Sequence, residues 1–304
     1  MKDKKYTERY LKACQLLPER LSISALDIAP ELMPCVEEIR LRAGREIHLT
    51  LPERELPLPR TRVTTDDLEQ VLDRCTEYSR YTAEETIRMG FVTARGGYRI
   101  GICATVVTAG ERCESLRDIS SLAIRIPKER EDIARPLLPQ LLVDDKAVST
   151  LIISPPGGGK TTFLRDLVRI LSDGSELCAP HRISLVDERG EIAAMHRGIA
   201  QLAVGNCTDV MDACPKALAV PILLRAMTPQ VIALDEIAGK ADVDTLRAAS
   251  RCGVTLLATA HAASIEEIKS RVFFGEIMGS GIFRRAVVIS GWGDKRSYRV
   301  EVLR

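Results

Sequence analysis

Aromatic side chains are scarce in this chain of 304 residues, at 4%, and its net charge is only +1. A protein that tracks nucleic acid needs a basic groove and aromatic faces on which bases stack. Neither is in good supply, so no nucleic-acid partner is expected. Long apolar runs are missing as well. None approaches the roughly 18 residues that a membrane-spanning helix needs. The start, Met1-Lys-Asp-Lys-Lys, is polar, and neither a signal peptide nor a membrane span is expected. Nine cysteines are present, with no C-x-x-C pair among them. That spacing argues against a zinc knuckle, and an odd, unpatterned set points to reduced thiols and a cytoplasmic setting. What the chain does have is ordinary. Apolar residues at 45% and charged residues at 28% suffice for a full core. The length predicts two domains, or one with a large appendage.

The most informative stretch is Thr150-Leu-Ile-Ile-Ser-Pro-Pro-Gly-Gly-Gly-Lys-Thr-Thr162. Its apolar run reads as a buried strand. A helix follows, with Phe163, Leu164, Leu167, Val168 and Leu171 on its inner side. Strand, glycine turn, Lys-Thr and helix together make a phosphate-binding loop. Backbone N–H groups close around phosphate oxygens only where side chains leave room. The helix N-terminus adds its own unpaired N–H groups. The predicted cradle is Ser154, Pro155, Pro156, Gly157, Gly158, Gly159, Lys160, Thr161 and Thr162. Lys160 is expected on the β- and γ-phosphates and the Thr161 hydroxyl on Mg²⁺. Ser154 stands where the motif has its first glycine, which Ser tolerates at negative φ.

Around this loop the chain falls into three parts. Residues 1–30 read as short helices, with Leu11, Leu16, Leu17 and Leu21 at helical spacing, and serve as a docking element or as a lid on the next domain. Residues 31–130 read as a mixed α+β domain. Val36 to Arg42 and Glu46 to Thr50 form a hairpin, and a Pro-rich connector follows. A capped helix starts at Thr64, and strands return around Gly96-Gly97 and from Ser121 to Ile126. Residues 131–304 alternate strands and helices, which argues for a parallel sheet covered on both faces. Its expected strands are 150–154, 182–187, 231–235, 254–259, 286–290 and 298–303.

Three strands end in polar residues. Val231-Ile-Ala-Leu-Asp235-Glu236 is an apolar strand closed by two acids. Beside a phosphate loop it reads as a Walker B box, in which Asp235 holds Mg²⁺ and Glu236 orients the attacking water. Asp187-Glu188-Arg189-Gly190-Glu191 ends another strand. Taken by itself that cluster reads as solvated loop charge, although strand ends in open α/β sheets face the ligand crevice. His261 closes Thr255-Leu-Leu-Ala-Thr-Ala-His. A lone histidine there is more often a structural hydrogen-bonder than a catalyst. Arg99 and Arg125 lie on expected strands and could each snorkel from a sheet face.

The order of these boxes resembles the RecA-type ATPases of type II and type IV secretion and of pilus retraction. Ile39-Arg-Leu-Arg-Ala-Gly44, Gly97-Tyr-Arg99-Ile-Gly and Ala123-Ile-Arg125-Ile resemble strands of that family's N-domain. The whole set, Ser154 included, is similar to the sporulation branch of the family. The resemblance implies a PAS-like α+β N-domain followed by a RecA-like P-loop domain, with ATP and Mg²⁺ as ligands. It implies catalytic roles for Lys160, Glu188, Glu191, Glu236, His261, Arg99 and Arg125, with Asp187 joining Thr161 and Asp235 at the metal. It further implies a hexameric ring at the cytoplasmic face of a membrane, in the mother cell of an endospore former. There the ring would energise assembly or transport by a secretion-like channel, docked on a membrane component. Two features depart from the wider family. The Walker B box carries Asp-Glu where many members have Gly-Glu, and the Cys₄ module of some type II enzymes is absent. Rival readings are a motor acting on nucleic acid and a nucleotide-dependent scaffold with little turnover. The intact Lys160, Asp235 and Glu236 speak against the scaffold.

Overall fold

A computed structural model describes residues 2–110 and 112–303. Met1, Glu111 and Arg304, including the outer ends of the expected segments 1–30 and 131–304, lie outside the described residues. The chain divides into two compact units. One comprises Met1–Lys128 with Ala194–Gln201, the other Glu129–Ala193 with Leu202–Arg304.

The first unit is built on an antiparallel sheet. Its strands are β1 Glu38–Arg42, β2 Glu46–Thr50, β3 Glu55–Arg62, β4 Phe91–Ala94, β5 Tyr98–Ala109 and β6 Arg112–Arg125, in the spatial order β3-β2-β1-β6-β5-β4. In β1 and β2 every second residue is buried. This is the alternation of a sheet with one face on the core and one in water. Ile39, Leu41, Ile47, Leu49, Ile100 and Ile124 supply the inner face. Each such burial contributes about 1.5–3 kcal/mol. The helices α1 Lys2–Cys14, α2 Glu19–Leu26, α3 Thr65–Cys75 and α4 Glu84–Arg88 belong to this unit. Tyr10, Leu17 and Leu21 sit in the same core, so α1 and α2 are part of the unit's packing. The Tyr10 hydroxyl donates to the carbonyl of Ala25 at 2.5 Å. Thr64 caps α3 as expected: its hydroxyl accepts the Asp67 N–H at 3.2 Å, and Asp67 accepts the Thr64 N–H at 2.6 Å.

One element differs from the sequence expectation. The Pro-rich connector is strand β3. It lies at the sheet edge, where residues without an N–H are tolerated. The pairing jumps from Ile47↔Leu58 to Glu46↔Arg62 across Pro59.

The second unit carries a seven-stranded sheet in the order β11-β10-β12-β13-β9-β14-β15. The strands are β9 Thr150–Ser154, β10 Ile183–Asp187, β11 Thr208–Asp212, β12 Val231–Leu234, β13 Thr255–His261, β14 Arg285–Ser290 and β15 Ser297–Val302. A small hairpin, β7 Leu142–Val143 and β8 Lys146–Ala147, follows the short helix α5 Leu138–Leu141. Every residue of β9, β10 and β12 is buried, as in a parallel sheet covered on both faces. The covering helices are α6 Lys160–Asp173, α7 Lys216–Ala226, α8 Lys240–Arg251, α9 Ile265–Ser270 and α10 Val272–Gly279. Within the seven-stranded sheet, among the described residues, the β14–β15 pair is antiparallel and the other pairs are parallel. Strand β11 had no expectation behind it. It carries two acids in five residues and is nowhere fully buried; its strand character comes from pairing with β10.

Candidate functional site

The site lies at the C-terminal ends of β9, β10, β12 and β13, all within the second unit. Strand β9 ends at Ser154, which is fully buried and donates from Oγ to the carbonyl of Pro155 at 2.9 Å. The loop then turns sharply, with Gly157 at φ +73° and Gly159 at φ +100°. These are left-handed conformations that only glycine adopts without strain. Gly158 is constrained by space instead: a Cβ there would lie 2.3 Å from Ser154 Oγ. Within the turn the Gly158 N–H donates to the carbonyl of Pro155 at 3.1 Å, and α6 starts at Lys160 with Gly159 at its N-cap and no side-chain cap.

Lys160 is 6% exposed, and its Nζ lies 2.8 Å from His261 Nδ1 at the end of β13. Burial holds the Lys160 ammonium below the usual lysine range, and the charges of Asp235, Glu236 and Glu191 oppose that shift. On the far side of the imidazole, His261 Nε2 is 3.4 Å from Glu236 Oε1. The other Glu236 oxygen accepts from Arg189 at 3.1 Å. Lys160, His261, Glu236 and Arg189 thus form a line of alternating polar groups. Beneath it, Thr259 on β13 donates from its hydroxyl to Asp235 Oδ1 at 2.9 Å and accepts the Glu236 N–H at 3.0 Å. Both acids of the box are therefore set by the adjacent strand.

A model of the protein family described as "Sporulation stage III, protein AA" matches residues 16–299. The chain belongs to the sporulation stage III protein AA family. It is 38% identical to stage III sporulation protein AA of Bacillus subtilis (strain 168) over 276 residues, covering 91% of this chain and 89% of that protein. Among solved structures it is similar to the ATPase DotB of Legionella pneumophila, with a TM-score of 0.59 at 16% identity, covering 88% of this chain and 77% of that one. It is also similar to the pilus retraction motor PilT with bound ADP, with a TM-score of 0.60 at 16% identity, covering 88% and 80%. The fold of this stage III protein AA relative is thus the RecA-like fold of the secretion ATPases, preceded by a smaller α+β domain.

Within this family member, the expected site residues separate into three groups. Lys160, Asp235, Glu236, His261 and the phosphate loop come together, with the Glu191 charge felt at Lys160. Asp187 and Glu188 are engaged elsewhere. Asp187, fully buried, accepts the N–H groups of Glu191, Ile192 and Ala193 at 2.8–3.2 Å. Burial raises its pKa and these bonds partly offset the rise. Glu188 is ion-paired to the nearly buried Lys216. Arg99 and Arg125 belong to the first unit. They are directly paired across β5 and β6, with Arg99 4.1 Å above the Phe91 ring and Arg125 2.9 Å from Glu38.

Sequence reasoning passed over several residues of this site. Thr259 is one; a hydroxyl inside the apolar run before His261 was the available signal. Arg165 is another: from α6 it donates to the carbonyls of Ile192 and Glu191 at 2.5 and 2.6 Å. Among the described residues, no group of three or more His, Cys, Asp or Glu side chains could hold a metal alone. None of the described helices is long and apolar enough to cross a membrane.

Proposed function

We propose that this chain is an ATPase that hydrolyses ATP to ADP and phosphate. Its hydrolysis energises assembly or transport by a membrane secretion-like channel during endospore formation. The observation that carries the reading is the convergence of Lys160, His261, Glu236 and Asp235 on a glycine loop with no room for a Cβ at Gly158. The loop N–H groups and Lys160 bind the phosphates. Lys160 is desolvated, so its charge acts on phosphate oxygens with little competition from water. Glu236 orients and polarises the attacking water, and Thr259 fixes the backbone that presents it. His261 stands between Lys160 and Glu236 and holds both at the same edge.

The donor set fits Mg²⁺. The Thr161 hydroxyl and Asp235 carboxylate are hard oxygens, and this cation takes one or two protein ligands beside phosphates and waters. Bound with the nucleotide, it neutralises phosphate charge. Asp187, expected as a further ligand, has both oxygens on backbone N–H groups. Our reading assigns it to holding the loop that presents Glu191.

Family membership supports the remainder of the reading. The active form is a homo-oligomer, a hexameric ring, at the cytoplasmic face of a membrane in the mother cell, docked on a membrane component of the complex. Arg99 and Arg125 act on phosphate oxygens when the ring assembles. Phosphate release and calorimetry test the core of this. Lys160→Ala should abolish ATP binding. Glu236→Gln should bind ATP while turnover falls about 10²–10³-fold, because the amide keeps the shape but cannot polarise water. Wild-type phosphate release by Lys160→Ala would overturn the assignment.

A further inference from the structure

The loop that joins β14 to β15 lies against the phosphate loop. Trp292, in that loop, is the only tryptophan of the chain and is 60% exposed. Its indole rests on the backbone of Gly157: a Cβ there would stand 3.0 Å from Cζ3 and 3.7 Å from Cη2. Four residues on, the Arg296 guanidinium occupies the space beside Gly159, with Nε 3.3 Å from where a Cβ would be. One Nη donates to the Gly157 carbonyl at 3.4 Å. The Nε–H itself is buried and has no partner among the described residues. At the base of the same hairpin, Tyr298 stacks on Phe163 in the first turn of α6, ring centroids 5.5 Å apart. The hairpin is therefore fixed to the phosphate loop at three points, and it keeps a large aromatic face open to water beside it.

The sheet order says what lies there. Strand β9 sits between β13 and β14. The groups that handle a γ-phosphate, Asp235, Glu236 and His261, belong to β12 and β13 on one side. A triphosphate lying along the loop with its γ end there directs its ribose and base to the other side, over β14 and β15. A tryptophan there offers a broad apolar face beside the loop while its polar edge stays wet. Stacking suits its quadrupolar face, and every base has a π-face to offer.

We propose that Trp292 is the base platform of the nucleotide site, and that Arg296 is the positioning residue that holds the platform's loop on the glycine loop. The proposal rests on the reading of the loop as a nucleotide site and adds the part that reads the nucleoside. In a chain with little aromatic surface, the one tryptophan is placed where a base must pass.

Trp292 also reports on its own occupancy, because all tryptophan emission comes from it. Full-length protein is titrated with ATP and with inorganic tripolyphosphate, each with Mg²⁺, by fluorescence and by calorimetry. ATP should change the emission, and tripolyphosphate should bind without the same change. Trp292→Ala should weaken ATP about ten- to hundredfold and leave tripolyphosphate unchanged, with partial recovery in Trp292→Phe. Arg296→Ala should shift the emission of the unliganded protein toward that of a fully hydrated indole and lower the preference for ATP over tripolyphosphate, with Arg296→Lys recovering part of that preference. If Trp292→Ala binds ATP as the wild type does, or loses tripolyphosphate equally, the platform is refuted while the phosphate site stands. If the wild type binds neither ligand, the nucleotide reading itself falls and takes this proposal with it.

Discussion

The two large sheets of this protein, one antiparallel and one almost wholly parallel, place their polar residues differently. In the first unit, strands alternate buried and open residues, and the polar side chains of interest, Arg99 and Arg125, stand on a strand face next to each other. In the second, β9, β10 and β12 have no open residue, and their charged residues are confined to strand ends. A buried strand has nowhere else to put a charge, since both faces are apolar. The difference teaches where to look. On a half-open sheet a functional residue is hidden among solvated ones, whereas on a closed sheet any terminal acid stands out against its apolar run.

The largest effect that would sharpen this contrast lies on the strand face. If Arg99 and Arg125 serve the proposed reaction, Arg99→Ala and Arg125→Ala should each lower phosphate release of assembled protein by about 10³-fold. ATP affinity should hardly change, and neither should the melting temperature. Arg125 is 62% exposed and its pair with Glu38 is a surface one, worth at most about 1 kcal/mol. Normal turnover in both variants would return the arginines to simple solvation of the face.

The next effect concerns a strand end that is structural. On sequence alone, Asp187, Glu188 and Glu191 form one acidic group, expected to act on turnover more than on folding. The structure divides them. Asp187→Ala removes the acceptor for three backbone N–H groups in a buried place, and unsatisfied donors of that kind cost about 1–3 kcal/mol each. A loss of about 3 kcal/mol in denaturant unfolding is expected, well beyond that from Glu188→Ala, whose carboxylate is 37% exposed and meets a single side chain. Equal and small losses would make the Asp187 bonds unimportant and restore the acids to one group.

The smallest effect sits at the sheet margin. Asp212 ends β11 next to the end of β10, and partial burial, helped by the Asp187 charge, pushes its pKa from 3.8 up to about 6. Because the folded-state value is the raised one, the contribution of this group is fully present below about pH 4 and is lost as pH rises through about 6. Part of the residue stays open to water, so screening keeps the effect below about 1 kcal/mol. Asp212→Asn should flatten that part of the stability profile, seen as a smaller drop in melting temperature between pH 4 and pH 7. An unchanged profile would mean that neither burial nor the Asp187 charge raises the Asp212 carboxyl.

Much of this was legible in the chain. The glycine turn after β9, the buried strand that runs into Asp235 and Glu236, and the capped α3 follow from local rules: positive φ needs glycine, an unbroken apolar run makes a buried strand, and Thr-x-x-Asp closes on itself. The strand nature of β3 was not legible, because Pro57 and Pro59 signal a connector and only edge placement makes them acceptable. Nor was β11, whose Thr208, Asp209 and Asp212 carry no strand pattern of their own. Residues 194–201 were equally silent. They follow the loop held by Asp187 and yet pack in the first unit, where His196 and Arg197 both pair with Glu77 and Gln201 accepts the Gly96 N–H.

The sequence by itself determined the fold class and the family, because each rests on spacing along the chain or on conformations that one residue type alone adopts, and it brought Lys160, Asp235, Glu236 and His261 forward as candidates. Only the tertiary structure decided which acids share a site. Asp187 and Asp235 read alike in sequence, each closing an apolar strand. One meets three backbone N–H groups and the other a threonine hydroxyl from the neighbouring strand. The same holds for Trp292 and Arg296, which are more than 130 residues after the glycine loop and touch it only because β14 pairs beside β9. Contacts across a sheet are set by strand order, and strand order is a property of the whole packed core rather than of any local stretch.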